Sequence, residues 1–169
     1  MAGSARRIAA AVGEIADMCS YCGCRALTEI ADLTAQHEEI VNATGPLRRA
    51  AEAQDQEAAK DQVVSLIALL NPHTAQEEFG VFAELRKREE FTEHIDALCA
   101  EHVHLHAHFA RIANGEMGLV GEAISALREH IEKEENGLFP AAAIELEGPV
   151  WQELAERHAN QSGTDNSER

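Results

Sequence analysis

The 169-residue chain is poor in aromatic residues and has no strand-like segments. Aromatic residues make up 4% of the sequence, although apolar residues as a whole make up 45%, with much Ala, Leu and Ile. No window alternates apolar and polar residues as a half-buried strand does, and Val-rich runs are absent. Because the abundant residues favour helices, we predict one all-α domain that is long enough for a sizeable core.

Basic residues are also few. The 14 Lys and Arg stand against 30 Asp and Glu, which gives a formal net charge of −16 with His neutral. So acidic a surface argues against nucleic acid and membranes as partners. No apolar run reaches the ~18 residues that indicate a membrane span, and the stretch 8–15 is too short and broken for a secretory signal. We expect a cytoplasmic protein whose four cysteines are mostly reduced.

Apolar residues at helical spacing predict four main helices with short helices before and after them. The expected ranges are about 25–43, 47–70, 90–113 and 119–136, with short terminal helices at 5–18 and 150–158. Thr44-Gly45-Pro46 is expected to end the first main helix, and Asn71-Pro72 to kink or restart the second. Trp151 and Leu154 of the last helix are expected to cap the bundle.

The most informative stretch is 127–140, in which His130 and Glu134 stand four residues apart. On a helix this spacing puts both side chains on one face, and Leu127 and Ile131 fall on or beside that face. An imidazole and a carboxylate therefore lie where a core is expected, and a metal ion could compensate both groups. A single pair of this kind is more often structural than metal-binding.

The same spacing occurs a second time, at His73 and Glu77. The following residues also match, because Glu-Glu-Phe-Gly-Val-Phe at 77–82 corresponds to Glu-Glu-Asn-Gly-Leu-Phe at 134–139. This similarity resembles an internal duplication of a helical hairpin. Further histidines on the apolar faces of the other two helices are His37, His102 and His106.

Other polar residues are assigned to the surface. His104 and His108 lie on a more polar face of the third helix, so we place them at the rim or in solvent. Glu78 and Glu132 are interpreted as part of a solvated face.

The candidate ligands number five imidazoles and two carboxylates, a set that suits iron, zinc or copper better than calcium or magnesium. A four-helix bundle can bring them to one interior point. Two six-coordinate ions offer roughly twelve positions. Five His nitrogens, two bridging carboxylates and one bridging oxo or hydroxo group fill all but one of these. A small molecule could bind at the open position.

The combined pattern resembles the hemerythrin-like (HHE cation-binding) family over about residues 25–140. It consists of a lone His37, a His-x3-Glu at 73–77, Glu101-His102-x3-His106, and His130-x3-Glu134 followed by Leu-Phe-Pro. The resemblance implies an up-and-down four-helix bundle around two iron ions, a non-haem di-iron centre with an oxo or hydroxo bridge. It implies that the terminal ligands are His37, His73, His102, His106 and His130. The bridging carboxylates would be Glu77 and Glu134.

One departure from the family concerns the last carboxylate. Oxygen-carrying members have an Asp five residues after the last His, whereas this chain has Glu134 at four and Glu135 at five. Glu134 matches the bacterial form, and Glu135 stays open as the alternative bridging ligand. The departure argues against simple reversible oxygen carriage.

A cysteine-rich stretch precedes the first main helix and resembles that of a bacterial hemerythrin-like subgroup. It contains Cys19, Cys22 and Cys24, with Gly23 indicating a tight turn. Three interpretations stay open: redox-responsive thiols, an auxiliary metal site, or a structural turn. We expect residues 1–24 to form an N-terminal helix and this turn, 25–159 the bundle with its cap helix, and 160–169 a flexible tail.

Two classes of function follow from these expectations. The first is a di-iron protein that binds or turns over dioxygen, hydrogen peroxide or nitric oxide, as an oxidoreductase or an oxygen store. The second is a non-catalytic sensor of oxygen, iron or redox state, or an iron donor, that uses the cysteine cluster and a protein partner.

Overall fold

The computed structural model describes residues 23–164, and these residues contain helices but no strand. The predicted all-α class is therefore confirmed. The main helices are α1 (Thr28–Glu52), α2 (Gln56–Phe79), α4 (Glu89–Ala113) and α5 (Val120–Lys133). Shorter helices are α3 (Val81–Leu85), α6 (Phe139–Glu145) and α7 (Gly148–Thr164), and a π-helical segment spans Glu134–Leu138. Within 23–164, no helix is both long and apolar enough to cross a membrane.

The four main helices form a closed ring of neighbours. Helix α1 packs on α2, α2 on α4, α4 on α5, and α5 on α1. The connection between α1 and α2 is short, and the Asp55 side chain begins α2 by accepting a hydrogen bond from the Ala58 N–H at 3.0 Å. Two helical hairpins, α1–α2 and α4–α5, therefore make up the up-and-down bundle.

The predicted end of the first helix at Thr44-Gly45-Pro46 is wrong. Helix α1 continues through Pro46 to Glu52. Its apolar face also continues, because Leu47 and Ala50 are buried. Burial of these side chains outweighs the one backbone hydrogen bond that a proline removes from a helix.

The second helix also continues past its proline, so the restart considered at Asn71-Pro72 does not occur. Helix α2 runs through Pro72 to Phe79. The Thr74 hydroxyl donates a hydrogen bond to the Leu70 carbonyl at 3.0 Å, one turn back. A side-chain hydrogen bond thus adds to the hydrogen bonding of the backbone beside the proline.

The ends of the described chain bear on the remaining predictions. Helix α7 packs on α1, and Trp151 and Leu154 are buried in the core, as predicted for a capping helix. Helix α7 extends to Thr164, into the segment predicted as a tail. The predicted helix at 5–18, together with Cys19 and Cys22, lies outside the described residues, and the domain boundaries stay predictions.

The buried apolar residues form two clusters separated by a polar layer. On α1, Leu33 belongs to one cluster and Ile40 to the other, with the buried His37 between them. The same order holds on α4 for Leu98, His102 and Leu105. Polar side chains at mid-height are therefore held in place by apolar packing above and below.

The second cluster offers a test of the bundle packing. Phe109 on α4 has no exposed surface, so Phe109→Ala should leave a cavity and lower the free energy of unfolding by about 3–5 kcal/mol. Val103 on the same helix is 68% exposed, so Val103→Ala should change it by less than about 0.5 kcal/mol. Chemical denaturation of both variants measures this, and equal effects would contradict the packing described.

Candidate metal centre

Six polar side chains from the four main helices meet in the layer between the apolar clusters. Each is 3% exposed or less. Helix α1 contributes His37, α2 contributes His73 and Glu77, α4 contributes His102, and α5 contributes His130. Glu134 is the first residue of the π-helical segment that follows α5. A bundle interior thus holds four imidazoles and two carboxylates.

The six side chains form two groups of four that share both carboxylates. His37 and His73 belong to the first group, His102 and His130 to the second, and Glu77 and Glu134 to both. Within each group, one potential ligand atom from every residue lies within 4.8 Å of all the others. Each group therefore has the composition and the spacing of a metal site.

Each carboxylate directs one oxygen to each group. The Oε1 atom of Glu77 lies 3.2 Å from Nε2 of His73, and its Oε2 lies 3.3 Å from Nε2 of His102. Likewise, Oε2 of Glu134 lies 3.2 Å from Nε2 of His37, and its Oε1 lies 3.1 Å from Nε2 of His130. Each carboxylate therefore contributes to both groups.

A second shell of polar residues orients the imidazoles. The Nδ1 atom of every histidine faces outward to one acceptor oxygen: Glu135 at 2.9 Å for His37, Gln36 at 3.0 Å for His73, Glu78 at 2.7 Å for His102, and Glu101 at 2.9 Å for His130. With the Nδ1–H donated outward, each ring directs Nε2 to the interior. Such partners fix the tautomer of metal-binding histidines and raise their basicity.

The two hairpins build corresponding halves of this arrangement. His73, Glu77, Glu78 and Phe82 of the first correspond to His130, Glu134, Glu135 and Phe139 of the second. Corresponding residues make corresponding contacts: the His37 and His73 rings are 4.6 Å apart, and so are the His102 and His130 rings. Phe139 stacks on His37 and Phe82 on His102, both at 5.8 Å. These contacts support the internal duplication predicted from the sequence.

Both hairpins interrupt the α-helix at the Glu-Glu pair or just after it. In the first, Gly80 separates α2 from α3, and a Cβ there would lie 2.4 Å from the Gln76 carbonyl oxygen. In the second, the helix widens into the π-helical segment that begins at Glu134. Each interruption lets a phenylalanine turn inward onto a histidine, Phe82 or Phe139, close behind a buried glutamate.

Strong electrostatic coupling follows from this burial. Burial alone would lower the pKa of His37, but neighbouring carboxylates, led by Glu134 and Glu135, raise it to about 11. The same opposition raises the pKa of His102 to about 10. Burial and the charge of Glu77 would raise the pKa of Glu134, but imidazoles lower it to about 2. The metal-free centre therefore holds ionised carboxylates neutralised by protonated imidazoles.

The donor atoms at the centre fit a pair of metal ions. Several of them are buried in ion-pair contact with one another but without a hydrogen bond of good geometry: Nε2 of His37, His102 and His130, and both carboxylate oxygens of Glu77 and Glu134. Buried polar atoms without partners are costly. Imidazole nitrogens and carboxylate oxygens that converge in this way are suitable ligands for iron, zinc or copper.

Two predicted ligands lie outside the two groups. His106 is one turn beyond His102, about 6 Å further along the helix axis, and neither group of ligand atoms includes it. Burial and the charge of His102 lower its pKa. Glu135, the alternative to Glu134, contacts the outward Nδ1 of His37. The geometry therefore favours Glu134 as the carboxylate at the centre, with Glu135 as the outer acceptor for His37.

The surface assignments have mixed outcomes. The prediction that Glu78 belongs to a solvated face is incomplete, because its side chain is 36% exposed but also accepts a hydrogen bond from His102. Glu101, Gln36 and Glu78 are the second-shell residues that sequence reasoning missed. The sequence feature that could have identified them is their position, since each is next to a candidate ligand in the sequence. Among the three predicted cysteines, only Cys24 is described, and it is buried in the first apolar cluster.

A small cavity adjoins the histidines on the side of the second apolar cluster. Apart from the four imidazoles, its lining consists of Ile40, Leu70, Thr74, Leu105, Leu127 and Ile131. Thr74 is the one hydroxyl among these residues, and it already donates to the Leu70 carbonyl. The space beside the centre is therefore mainly apolar.

Comparison with known families agrees with this geometry. The family model described as the hemerythrin HHE cation binding domain matches residues 28–142, which is more than half of the chain. The chain belongs to the hemerythrin HHE cation-binding family. No curated protein and no solved structure was found to match it. The chain is thus a helical protein whose His and Glu clusters can bind metal.

The charge state of the metal-free centre predicts its pH dependence. The pKa values of His37 and His102 are about 11 and 10 in the folded protein, against about 6.5 when unfolded. At pH values between the unfolded and the folded pKa, each of these two histidines is protonated in the folded state and deprotonated in the unfolded state. The free energy of unfolding should therefore fall from pH 7 to 9, by about 1.4 kcal/mol per pH unit for each excess proton.

Urea denaturation of metal-free protein across this range tests the prediction. The glutamates do not contribute, because their lowered pKa values give stability that is constant above about pH 4.5. Metal-loaded protein is the control, since bound metal replaces the protons and should reduce the slope. A metal-free protein of constant stability from pH 7 to 9 would contradict the assigned charge state.

Proposed function

We propose that this chain is a non-haem di-iron protein that binds or turns over a small oxygen or nitrogen species. The observation that supports this most strongly is the sharing of Glu77 and Glu134 between two ligand groups. A single ion would need only one such group. Two groups joined by two carboxylates suit two ions of the kind that imidazole and carboxylate prefer.

In this proposal the two ions are held alike. His37 and His73 would bind one ion, His102 and His130 the other, and Glu77 and Glu134 would bridge them. Four protein donor atoms per ion leave positions available on both ions of a six-coordinate pair. The fifth histidine predicted as a ligand, His106, is not required, so the open position is no longer confined to one ion.

An iron pair would supply redox chemistry when bound, because two ferrous ions can together give up two electrons. The protein supplies selection and orientation. The hydrogen-bond partners at Nδ1 would hold the imidazoles in place, and the cavity beside them has a mainly apolar lining. Its lining suits uncharged diatomic molecules such as dioxygen and nitric oxide. Hydrogen peroxide brings two O–H donors, for which Thr74 is the main acceptor in the lining apart from the imidazoles.

The iron content of the purified protein tests the paired site. Elemental analysis should find close to two irons per chain. His102→Ala should remove one or both, because it takes away a ligand and leaves buried carboxylates uncompensated. His104→Ala is the matched control, since His104 is exposed two residues away, and it should retain full iron. A His102→Ala variant with full iron would overturn the assignment.

The same assay decides the role of His106. If His106 lies outside the ligand groups, as the geometry favours, His106→Ala should keep close to two irons per chain. A loss of iron equal to that of His102→Ala would restore His106 as a fifth imidazole ligand.

The cavity gives a test of small-molecule access. Leu105 is buried in its lining, so Leu105→Phe should fill it and slow the reaction of the ferrous protein with dioxygen by at least about tenfold, with iron content retained. Stopped-flow absorbance measures the rate. Val103→Phe, which adds the same ring at an exposed position, is the control. An unchanged rate in Leu105→Phe would exclude this cavity as the route.

A sensor or iron-donor function is the alternative, and one feature of the packing favours it. Cys24 shares an apolar cluster with Phe139, which stacks on His37. A change at the cysteine stretch could therefore reach the centre through packed side chains. We propose the cytoplasm, where the cysteines would be mostly reduced, as the compartment for either function.

A further inference from the structure

The two halves of the centre differ in how one histidine is supported. In the first half, the Nδ1–H of His73 donates to Oε1 of Gln36 at 3.0 Å. The amide nitrogen of Gln36 donates in turn to Oε1 of Gln76 at 2.8 Å. The amide nitrogen of Gln76 then donates to Glu29 at 3.0 Å. His73 is therefore supported by a pair of neutral amides.

The corresponding residues of the second half carry charges. His130 donates from Nδ1 to Oε2 of Glu101 at 2.9 Å, and the Lys133 ammonium donates to Oε1 of the same carboxylate. Lys133 follows His130 by three residues, as Gln76 follows His73. A glutamate–lysine ion pair therefore occupies the place that two glutamines occupy in the first half.

This substitution changes the strength of one hydrogen bond. A carboxylate is a stronger acceptor than an amide, and an imidazole that donates to it becomes a more basic ligand. The other histidine of each half does not differ in this respect, because His37 and His102 both donate to carboxylates, Glu135 and Glu78. The asymmetry is therefore confined to His73 and His130.

The net charge of the two residues that support each ring does not account for the difference, since Glu29 enters the first half only beyond Gln76. The Glu101–Lys133 pair sums to zero, as the two amides do, and Lys133 is about half exposed. Its field at the centre is partly screened by solvent. The remaining difference between the two halves is the acceptor itself, a carboxylate oxygen in direct contact with the ring of His130.

We propose that Gln36 and Gln76 make the His37–His73 position the weaker of the two metal positions. The His102–His130 position then fills first and empties last. Gln36 and Gln76 act here as positioning residues that touch no metal themselves. The inference rests on the paired site of the proposed function, and it adds that the two ions are not equivalent although their direct ligands are the same.

A titration of the metal-free full-length chain with Mn²⁺ tests the inference. Mn²⁺ prefers carboxylate to thiolate ligands and binds less tightly than later metals, so the cysteines compete little and both steps are measurable. Calorimetry should resolve two steps whose affinities differ by about 10- to 100-fold, the usual effect of a second-shell partner. Electron paramagnetic resonance distinguishes a lone Mn²⁺ from a coupled pair.

Two exchange variants transfer each support to the other half. Gln36→Glu with Gln76→Lys places the ion pair beside His73 and keeps a donor for Glu29. It should tighten the second step until both affinities are alike. Glu101→Gln with Lys133→Gln places amides beside His130. This variant should weaken the first step until both affinities are alike.

The individual positions are identified by removing one histidine at a time. His130→Ala should abolish the tight step and His73→Ala the weak one. Glu101 and Lys133 are both partly exposed, so the Glu101→Gln, Lys133→Gln variant should fold. If the Gln36→Glu, Gln76→Lys variant does not fold, the first variant alone tests the inference.

Three outcomes would overturn the inference. These are two equal steps in the natural chain, a separation that the exchange variants leave unchanged, or a tight step that depends on His73. Each of them leaves the paired site intact. Binding of one Mn²⁺ or none would instead contradict the paired site itself, and with it the proposed function.

Discussion

The burial of two carboxylates at the centre of an apolar bundle is the constraint on which the rest of the structure depends. Glu77 and Glu134 have no exposed surface, and ionised groups in such a place require compensation by cations or hydrogen-bond donors. Three of the histidines that surround them, His37, His102 and His130, have raised pKa values and meet this need with protons when no metal is bound. Metal ions can meet the same need when they replace those protons.

The compensation also organises the bundle. Each pair of neighbouring helices, with the π-helical segment counted as the continuation of α5, is joined by one hydrogen bond between a central histidine and its outer partner. Gln36 of α1 reaches His73 of α2, and Glu101 of α4 reaches His130 of α5, so these two bonds lie within the hairpins. The bonds from Glu78 to His102 and from Glu135 to His37 join one hairpin to the other. The ring of hydrogen bonds therefore closes around the centre in the same order as the helices.

Much of the fold could be predicted from the sequence, because helical periodicity reports which face of a helix is buried. It identified the helix at Glu89–Ala113 almost to the residue and the repeated His-x3-Glu spacing. It failed at Pro46, where local propensity suggested an end and the buried face beyond the proline prevailed. Propensity is a weak local signal, whereas burial of that face is decided by the whole bundle.

The centre was predictable in part for the same reason. Periodicity places a residue on a face, but it does not give the height at which the faces of four helices meet. His106 shares a face with His102 but lies one turn away from the carboxylates. The second shell escaped prediction because Glu78 and Glu101 resemble surface charges in a sequence this acidic. Only the packing of two helices brings each of them to a histidine.

The central claim is that two metal ions share Glu77 and Glu134. A crystal structure of the iron-loaded protein, with anomalous diffraction recorded at the iron edge, tests it most directly. The account predicts two iron peaks about 3.5–4 Å apart, one beside His37 and His73 and the other beside His102 and His130, with both carboxylates between them. A single peak, or a peak bound by His106 or Glu135 in place of these ligands, would contradict it.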